Sequence, residues 1–210
     1  LSTSKLGILL SGRGSNFVAI ADAIDSGALP GAAIAVVLSN HADAPGLAAA
    51  RERGLPAFAV ESRGRKRAEH DAELVSLLRE HSVYLVCLAG YMRLLSPAFI
   101  AAFPQRILNI HPSLLPAFPG LDAQRQAWEY GVAVSGCTVH FVDEQLDHGV
   151  IVVQRSVPVA LTDTPEVLAA RILAEEHIAY PEAIRRVLSS KWHVEGRRYL
   201  QLAATPNKDE

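Results

Sequence analysis

Short apolar runs along this chain alternate with segments whose apolar positions repeat at helical spacing. Residues 6–10 predict a first buried strand, and Phe17, Ile20 and Ile24 then share one face of a helix. Residues 34–38 predict a second strand, followed by a helix through Arg51, and residues 57–60 a short third strand. A basic loop over 63–67 leads into a helix with Leu74, Leu77, Leu78 and His81 on one face. Residues 84–88 and 106–110 predict two more strands, with a short segment after Pro97 between them. Beyond a proline-rich turn over 111–120 come strands at 132–142 and 150–157, joined by residues 143–149. Thr164-Pro165-Glu166 carries the capping hydroxyl, first-position proline and first-turn acid of a helix start. Pro181 is expected to end or kink that helix. This alternation predicts an α/β fold, a single doubly wound, mostly parallel twisted sheet with helices on both faces. Residues 1–202 read as one domain and 203–210 as a frayed tail.

Composition narrows the setting. Half of the 210 residues are hydrophobic and the formal net charge is −2, which argues against a general electrostatic grip on nucleic acid or membrane. Cys87 sits in an apolar run and reads as a small buried hydrophobe; neither it nor Cys137 has a partner at metal-ligand spacing. No metal is expected. No apolar stretch reaches the roughly 20 residues of a membrane span, and residues 6–10 are too short for a secretory signal. The expected setting is cytoplasmic, with small molecules as partners, no nucleic acid and no membrane, and with a homodimer left open.

The turn Gly12-Arg13-Gly14-Ser15-Asn16 lies between a strand and a helix, where backbone N–H groups and a helix N-terminus can meet an anion. It lacks the Gly-Lys-Ser/Thr ending of a Walker loop. A dinucleotide fingerprint would want glycine or alanine where Phe17 stands and an acid where Ser39-Asn40 ends the second strand. A monophosphate site fits better than either. A tight turn with no ligand is the competing explanation.

Asn109 and His111 flank one residue at the end of a predicted strand, so their side chains point the same way, at the sheet edge where open parallel sheets bind ligands. An amide donor beside an imidazole is what a developing oxyanion needs. His41 and His81 lack such company and read as structural histidines. Asp143, Glu144 and Asp147 share one turn, and composition does not rank them.

Together these segments resemble the glycinamide ribonucleotide formyltransferases of purine synthesis over nearly the whole chain. The resemblance rests on Gly12 to Asn16, on Ser39 to Leu47, on the Leu88-Ala89-Gly90-Tyr91-Met92-Arg93-Leu94-Leu95-Ser96 segment, on Asn109 to Pro116, and on Gly136 to Val142 leading to Leu146-Asp147 and Gly149. It implies a Rossmann-like formyltransferase fold and 10-formyltetrahydrofolate as co-substrate. His111 would be the catalytic histidine, Asn109 its oxyanion partner and Asp147 the acid that orients and charges it. Gly14, Ser15 and Asn16 match the phosphate-binding turn, Arg67 a substrate-side basic position, and Glu176 a glutamate that helps hold the substrate amine. Leu88, Met92, Arg93, Leu94, Leu95, Ile100 and Ile107 match the pterin pocket, which Asn109 borders, and Asp143 the loop that closes it. Asp122 and Gln124 stand where some members carry histidines.

The implied reaction is attack by the substrate amine on the formyl carbon. Asn109 and protonated His111 would stabilise the oxyanion, and Asp147 would pass the proton toward the folate nitrogen. Rival readings are a formyltetrahydrofolate hydrolase, expected to carry an extra N-terminal domain, and a methionyl-tRNA formyltransferase, expected to carry an extra C-terminal one. A catalytically inert phosphate- or nucleotide-binding regulator would explain residues 12–16 and leave the Asn-x-His pair as coincidence.

Overall fold

The computed structural model describes residues 3–189 and 191–202, so the tail expected over 203–210 lies outside the described residues. The chain builds β1 (Ser4–Leu10), α1 (Ser15–Asp25), β2 (Ala32–Ser39), α2 (Pro45–Glu52), β3 (Ala57–Ala59), α3 (Arg67–Glu80), β4 (Leu85–Leu88) and α4 (Pro97–Ala102). It continues with β5 (Ile107–His111), α5 (Ala123–Tyr130), β6 (Val134–Phe141), β7 (Ile151–Pro158), α6 (Pro165–Leu188), β8 (Trp192–Glu195) and β9 (Arg198–Gln201). The described strands form one sheet in the order β3-β2-β1-β4-β5-β6-β7-β9-β8. From β3 to β5 every pair is parallel; β6 then pairs antiparallel with both β5 and β7. The chain order reverses between β1 and β4, and the crevice beyond their carboxyl ends is where open α/β sheets take ligands.

Alternation along the strands builds two cores, one on each face. Leu6, Ile8 and Leu10 of β1 pack with Phe17 and Ile20 of α1, Leu47 of α2 and Leu168, Ile172 and Ile184 of α6. Leu9 points the other way, toward Leu74 and Leu78 of α3 and Phe99 of α4. β5 divides likewise. Leu108 and Ile110 enter the first core and Ile107 the second, which leaves Asn109 and His111 on the side of Ile107. The buried Tyr180 hydroxyl on α6 lies 3.0 Å from the carbonyl oxygens of both Leu88 and Leu108, tying that helix to the two strands that carry the site.

Four features depart from the sequence reading. Pro181 does not end α6, which runs on to Leu188; Ala179, Tyr180, Ala183, Ile184 and Val187 are all buried beside it, and that packing outweighs the lost amide. α5 was not legible; it buries only Ala123 and Ala127, too narrow a stripe to show as a period. The β8–β9 hairpin was also missed. Its Trp192 and Tyr199 stack at 5.4 Å, with Phe141 5.2 Å from Trp192, so the cluster forms only once β6 is in place. Finally, the buried face of α3 includes His70 and Asp71 as well as Leu74 and Leu78, whereas Leu77 and His81 are half-buried.

Candidate active site

β5 places Asn109 and His111 on one side, and the antiparallel β6 puts His140 opposite Asn109 and Thr138 opposite His111. Asn109 Nδ2 lies 3.2 Å from His140 Nε2. His140 Nδ1 lies 2.8 Å from the carbonyl oxygen of Phe141. The carbonyl can only accept, so Nδ1 carries a proton, and in the neutral ring the Nε2 lone pair accepts from the amide. Burial agrees, since it holds the His140 pKa below the ordinary histidine value despite the backbone acceptor and the nearby Asp147. His140 thereby fixes which end of the Asn109 amide is the donor. One Nδ2 proton is held and the other is left to point elsewhere.

The Asp147 carboxylate completes the group. Its Oδ2 stands 3.4 Å from His111 Nδ1, and its Oδ1 3.9 Å from His140 Nε2, with both histidine and aspartate side chains nearly buried. Asp147 adopts a left-handed backbone at φ 50°, a conformation aspartate tolerates better than most side chains. At Gly149 an added Cβ would stand 1.7 Å from the Phe141 carbonyl oxygen, so only glycine lets the loop return against β6. Gly120 N donates to Asp147 Oδ2 at 2.8 Å, and His111 Nε2 lies 2.8 Å from the Phe118 carbonyl oxygen. The turn after β5 therefore closes over the imidazole. Both ring nitrogens of His111 thus face protein oxygens.

The same turn is held to the sheet by polar contacts. Thr138 Oγ1 donates to the Ser113 carbonyl at 2.7 Å and accepts from Leu115 N at 3.0 Å. Gln154 Nε2 donates to the Leu115 carbonyl at 2.9 Å.

At the end of β1, Gly14 takes φ 75° as the N-cap of α1, and a Cβ there would stand 2.9 Å from Gly46 Cα. The Gly14 N-cap makes no side-chain cap hydrogen bond to the first turn. Phe17 is fully buried in the first core, which explains why the third glycine of a dinucleotide fingerprint has no counterpart here. Asn16 Nδ2 donates to Glu176 Oε2 at 2.7 Å, while Asn16 Oδ1 is buried and has no partner among the described residues. Burial raises the Glu176 pKa, and the Asn16 hydrogen bond opposes that shift. Glu176 thus belongs to the glycine-rich turn in space. Arg67 begins α3 and is exposed.

Of the residues matched to a pterin pocket, Leu88, Leu95 and Ile107 lie in the second core with Ile100 packed beside them. Met92 and Leu94 are exposed, and Arg93 is half-buried with an unpartnered Nε. Asp143 Oδ2 lies 2.8 Å from His148 Nδ1, next to the Asp147 turn.

Two residues that sequence reasoning missed stand in this site, His140 and Thr138. The usable signal was register: once β5 and β6 pair antiparallel, alternate residues of β6 face Asn109 and His111. The structural histidine role expected for His41 and His81 falls instead to the fully buried His70, whose Nε2 lies 2.7 Å from the Val60 carbonyl oxygen. His41 is exposed, and His81 packs against Phe58. Burial pushes both cysteine thiols up, Cys137 to about 12, in keeping with inert apolar packing.

The formyl transferase family matches residues 4–184, and the chain belongs to that family. Phosphoribosylglycinamide formyltransferases are among the relatives that the chain matches over most of their length, and the chain is a member of that group. The enzyme of Escherichia coli K12 is 41% identical over 191 residues, covering 90% of this chain and 87% of the relative. The crystal structure of glycinamide ribonucleotide transformylase 1 from Symbiobacterium toebii superposes with a TM-score of 0.93 at 51% identity, covering 96% of this chain and 95% of that one. The trifunctional purine biosynthetic protein adenosine-3 of Chironomus tentans is 44% identical over 187 residues, and this chain spans only 14% of its length. No described helix is long and apolar enough to cross a membrane.

Proposed function

We propose that this protein transfers the formyl group of 10-formyltetrahydrofolate to the amine of glycinamide ribonucleotide, in de novo purine biosynthesis. The observation that carries the reading is the meeting of Asn109, His111 and Asp147 at the carboxyl end of β5, within 3.4 Å for the His111–Asp147 pair. The uncapped start of α1 and the adjacent Asn16–Glu176 pair suit the phosphorylated substrate. Leu88, Leu95 and Ile107 offer an apolar wall to the pterin on the same side of the sheet as Asn109 and His111.

In this mechanism the amine attacks the formyl carbon, and the carbonyl oxygen becomes an oxyanion. The free Nδ2 proton of Asn109 and protonated His111 receive that charge, the oxygen displacing the Phe118 carbonyl from His111 Nε2. Asp147 holds the opposite ring nitrogen and, through a water, carries the proton released by the amine to the departing folate nitrogen. The C–N bond to folate then breaks, leaving tetrahydrofolate and the formylated amide. The chemistry calls for no metal and no covalent enzyme intermediate. Residues 1–202 act as one catalytic unit on small molecules in the cytoplasm.

The test is an assay of purified protein with 10-formyltetrahydrofolate, with and without glycinamide ribonucleotide. Deformylation that depends on the amine is expected. Equal deformylation without it would make the protein a hydrolase, and none in either case an inert relative.

A further inference from the structure

Side chains link the carboxyl ends of four adjacent parallel strands, β3, β2, β1 and β4. Met92 N, in the loop after β4, donates to Ser11 Oγ at 2.8 Å. Ser11 Oγ, one residue past β1, donates to Asn40 Oδ1 at 2.6 Å, one residue past β2. Asn40 Nδ2 reaches Ser62 Oγ beyond β3 at 3.5 Å, the longest link. The proton count closes at the centre: one hydroxyl accepts from Met92 and donates to Asn40. A movement of the Ser11 oxygen therefore disturbs both contacts at once. Asn40 and Ser62 are buried, and Ser11 is half-buried.

This chain of contacts lies between the two halves of the proposed site. Ser11 directly precedes the turn holding Gly14, Ser15 and Asn16, and Ser62 precedes the basic loop that ends at Arg67. Met92 lies within the segment matched to the folate side and is 67% exposed. Through its side chain, Ser11 joins the start of the phosphate turn to the folate-side segment. Its backbone adds a second link, as Ser11 N donates to the Gly90 carbonyl at 3.1 Å.

We propose that the Ser11 hydroxyl, backed by Asn40, is a positioning relay that couples occupancy of the phosphate turn to the arrangement of the folate-side loop, so that each ligand tightens binding of the other. The inference rests on the formyltransferase reading for the identity of the two ligands. A ligand that orders the turn fixes Ser11, which fixes Met92 N and lowers the cost of ordering the loop for the second ligand. Linkage makes the effect reciprocal.

The test measures binding of glycinamide ribonucleotide and of tetrahydrofolate, which has no formyl group to transfer, each alone and with the other saturating. Wild-type protein is expected to show mutual tightening of roughly fivefold or more. In Ser11→Ala the factor should fall toward one, with binding of each ligand alone changed less than the coupling and the melting temperature close to wild type. Ser11→Thr keeps a hydroxyl and should restore the coupling. Unchanged coupling in a folded Ser11→Ala protein, no coupling in wild type, or a folded Ser11→Thr protein without coupling would each overturn the relay. Wild-type protein that binds neither ligand would overturn the functional reading, and the relay with it.

Discussion

Asn16 donates to Glu176 at 2.7 Å across 160 residues of sequence, joining the first turn of α1 to the middle of α6. The resemblance alone assigned Glu176 to the substrate amine; the fold places it at the glycine-rich turn. A carboxylate would be an uncomfortable neighbour for the proposed phosphate, and burial already raises the Glu176 pKa. The sign of the consequence is definite. The folded protein binds this proton more tightly than the unfolded chain does, so Glu176 costs stability as pH rises from the ordinary carboxylate value through the raised one. Glu176→Gln keeps an oxygen for the Asn16 amide and removes that limb. Thermal melts across pH should show the variant gaining stability relative to wild type toward neutral pH. Its ribonucleotide KM should rise about tenfold or more, the scale of a lost hydrogen bond to a charged group. A variant with unchanged stability and unchanged KM would remove Glu176 from the site.

Asp147→Asn tests the chemistry with little disturbance of shape. Asparagine tolerates the left-handed backbone found at φ 50° and keeps an oxygen for Gly120 N. The charge facing His111 and the path for the proton are lost. Turnover should fall by roughly 10²–10⁴, with both substrate KM values within a few-fold of wild type. Steady-state kinetics with a melting curve as fold control decide it; near-normal turnover removes Asp147 from the mechanism.

Asn16→Ala separates the two halves of the site. The substitution removes the donor to Glu176 and the unpartnered buried Oδ1 while leaving the α1 backbone free to meet an anion. The ribonucleotide KM should rise at least tenfold and the folate KM less than threefold, following the scale of hydrogen bonds to charged groups. Equal increases in both would mean that the turn serves the fold rather than one ligand.

These contacts also show what the sequence could carry. Period and punctuation found the parallel half of the sheet, because Leu6, Ile8 and Leu10 announce a buried strand without outside help. Asn109 and His111 were legible as a pair because two residues on one strand share a side whatever the rest of the chain does. Asp147 was not, since Asp143, Glu144 and Asp147 differ only in what the loop's return against β6 does with them. His140 needed the β5–β6 register, and Glu176 needed α6 packed beside α1. Pro181 does not end α6 because the rule against interior proline describes an isolated helix, and α6 is held by a buried stripe.

His140 supplies the last prediction. Its burial lowers the pKa, so acid must charge a ring whose Nε2 is accepting from Asn109. The unfolded chain takes up that proton first as pH falls below the ordinary histidine value. The stability that neutral His140 contributes is therefore present above that value and is lost as pH falls through the lowered folded one. The same protonation turns Nε2 into a donor facing the Asn109 amide and would rotate the oxyanion group out of place. His140→Gln cannot titrate, so its stability should vary less than wild type's below the ordinary histidine pKa. Its turnover should be lower at every pH, by about the 10²-fold associated with a misdirected oxyanion donor. Paired melts and kinetics from neutral pH downward measure both effects. A variant that keeps the wild-type acid slope shows that another group sets that limb, and one that keeps wild-type turnover shows that Asn109 needs no such support.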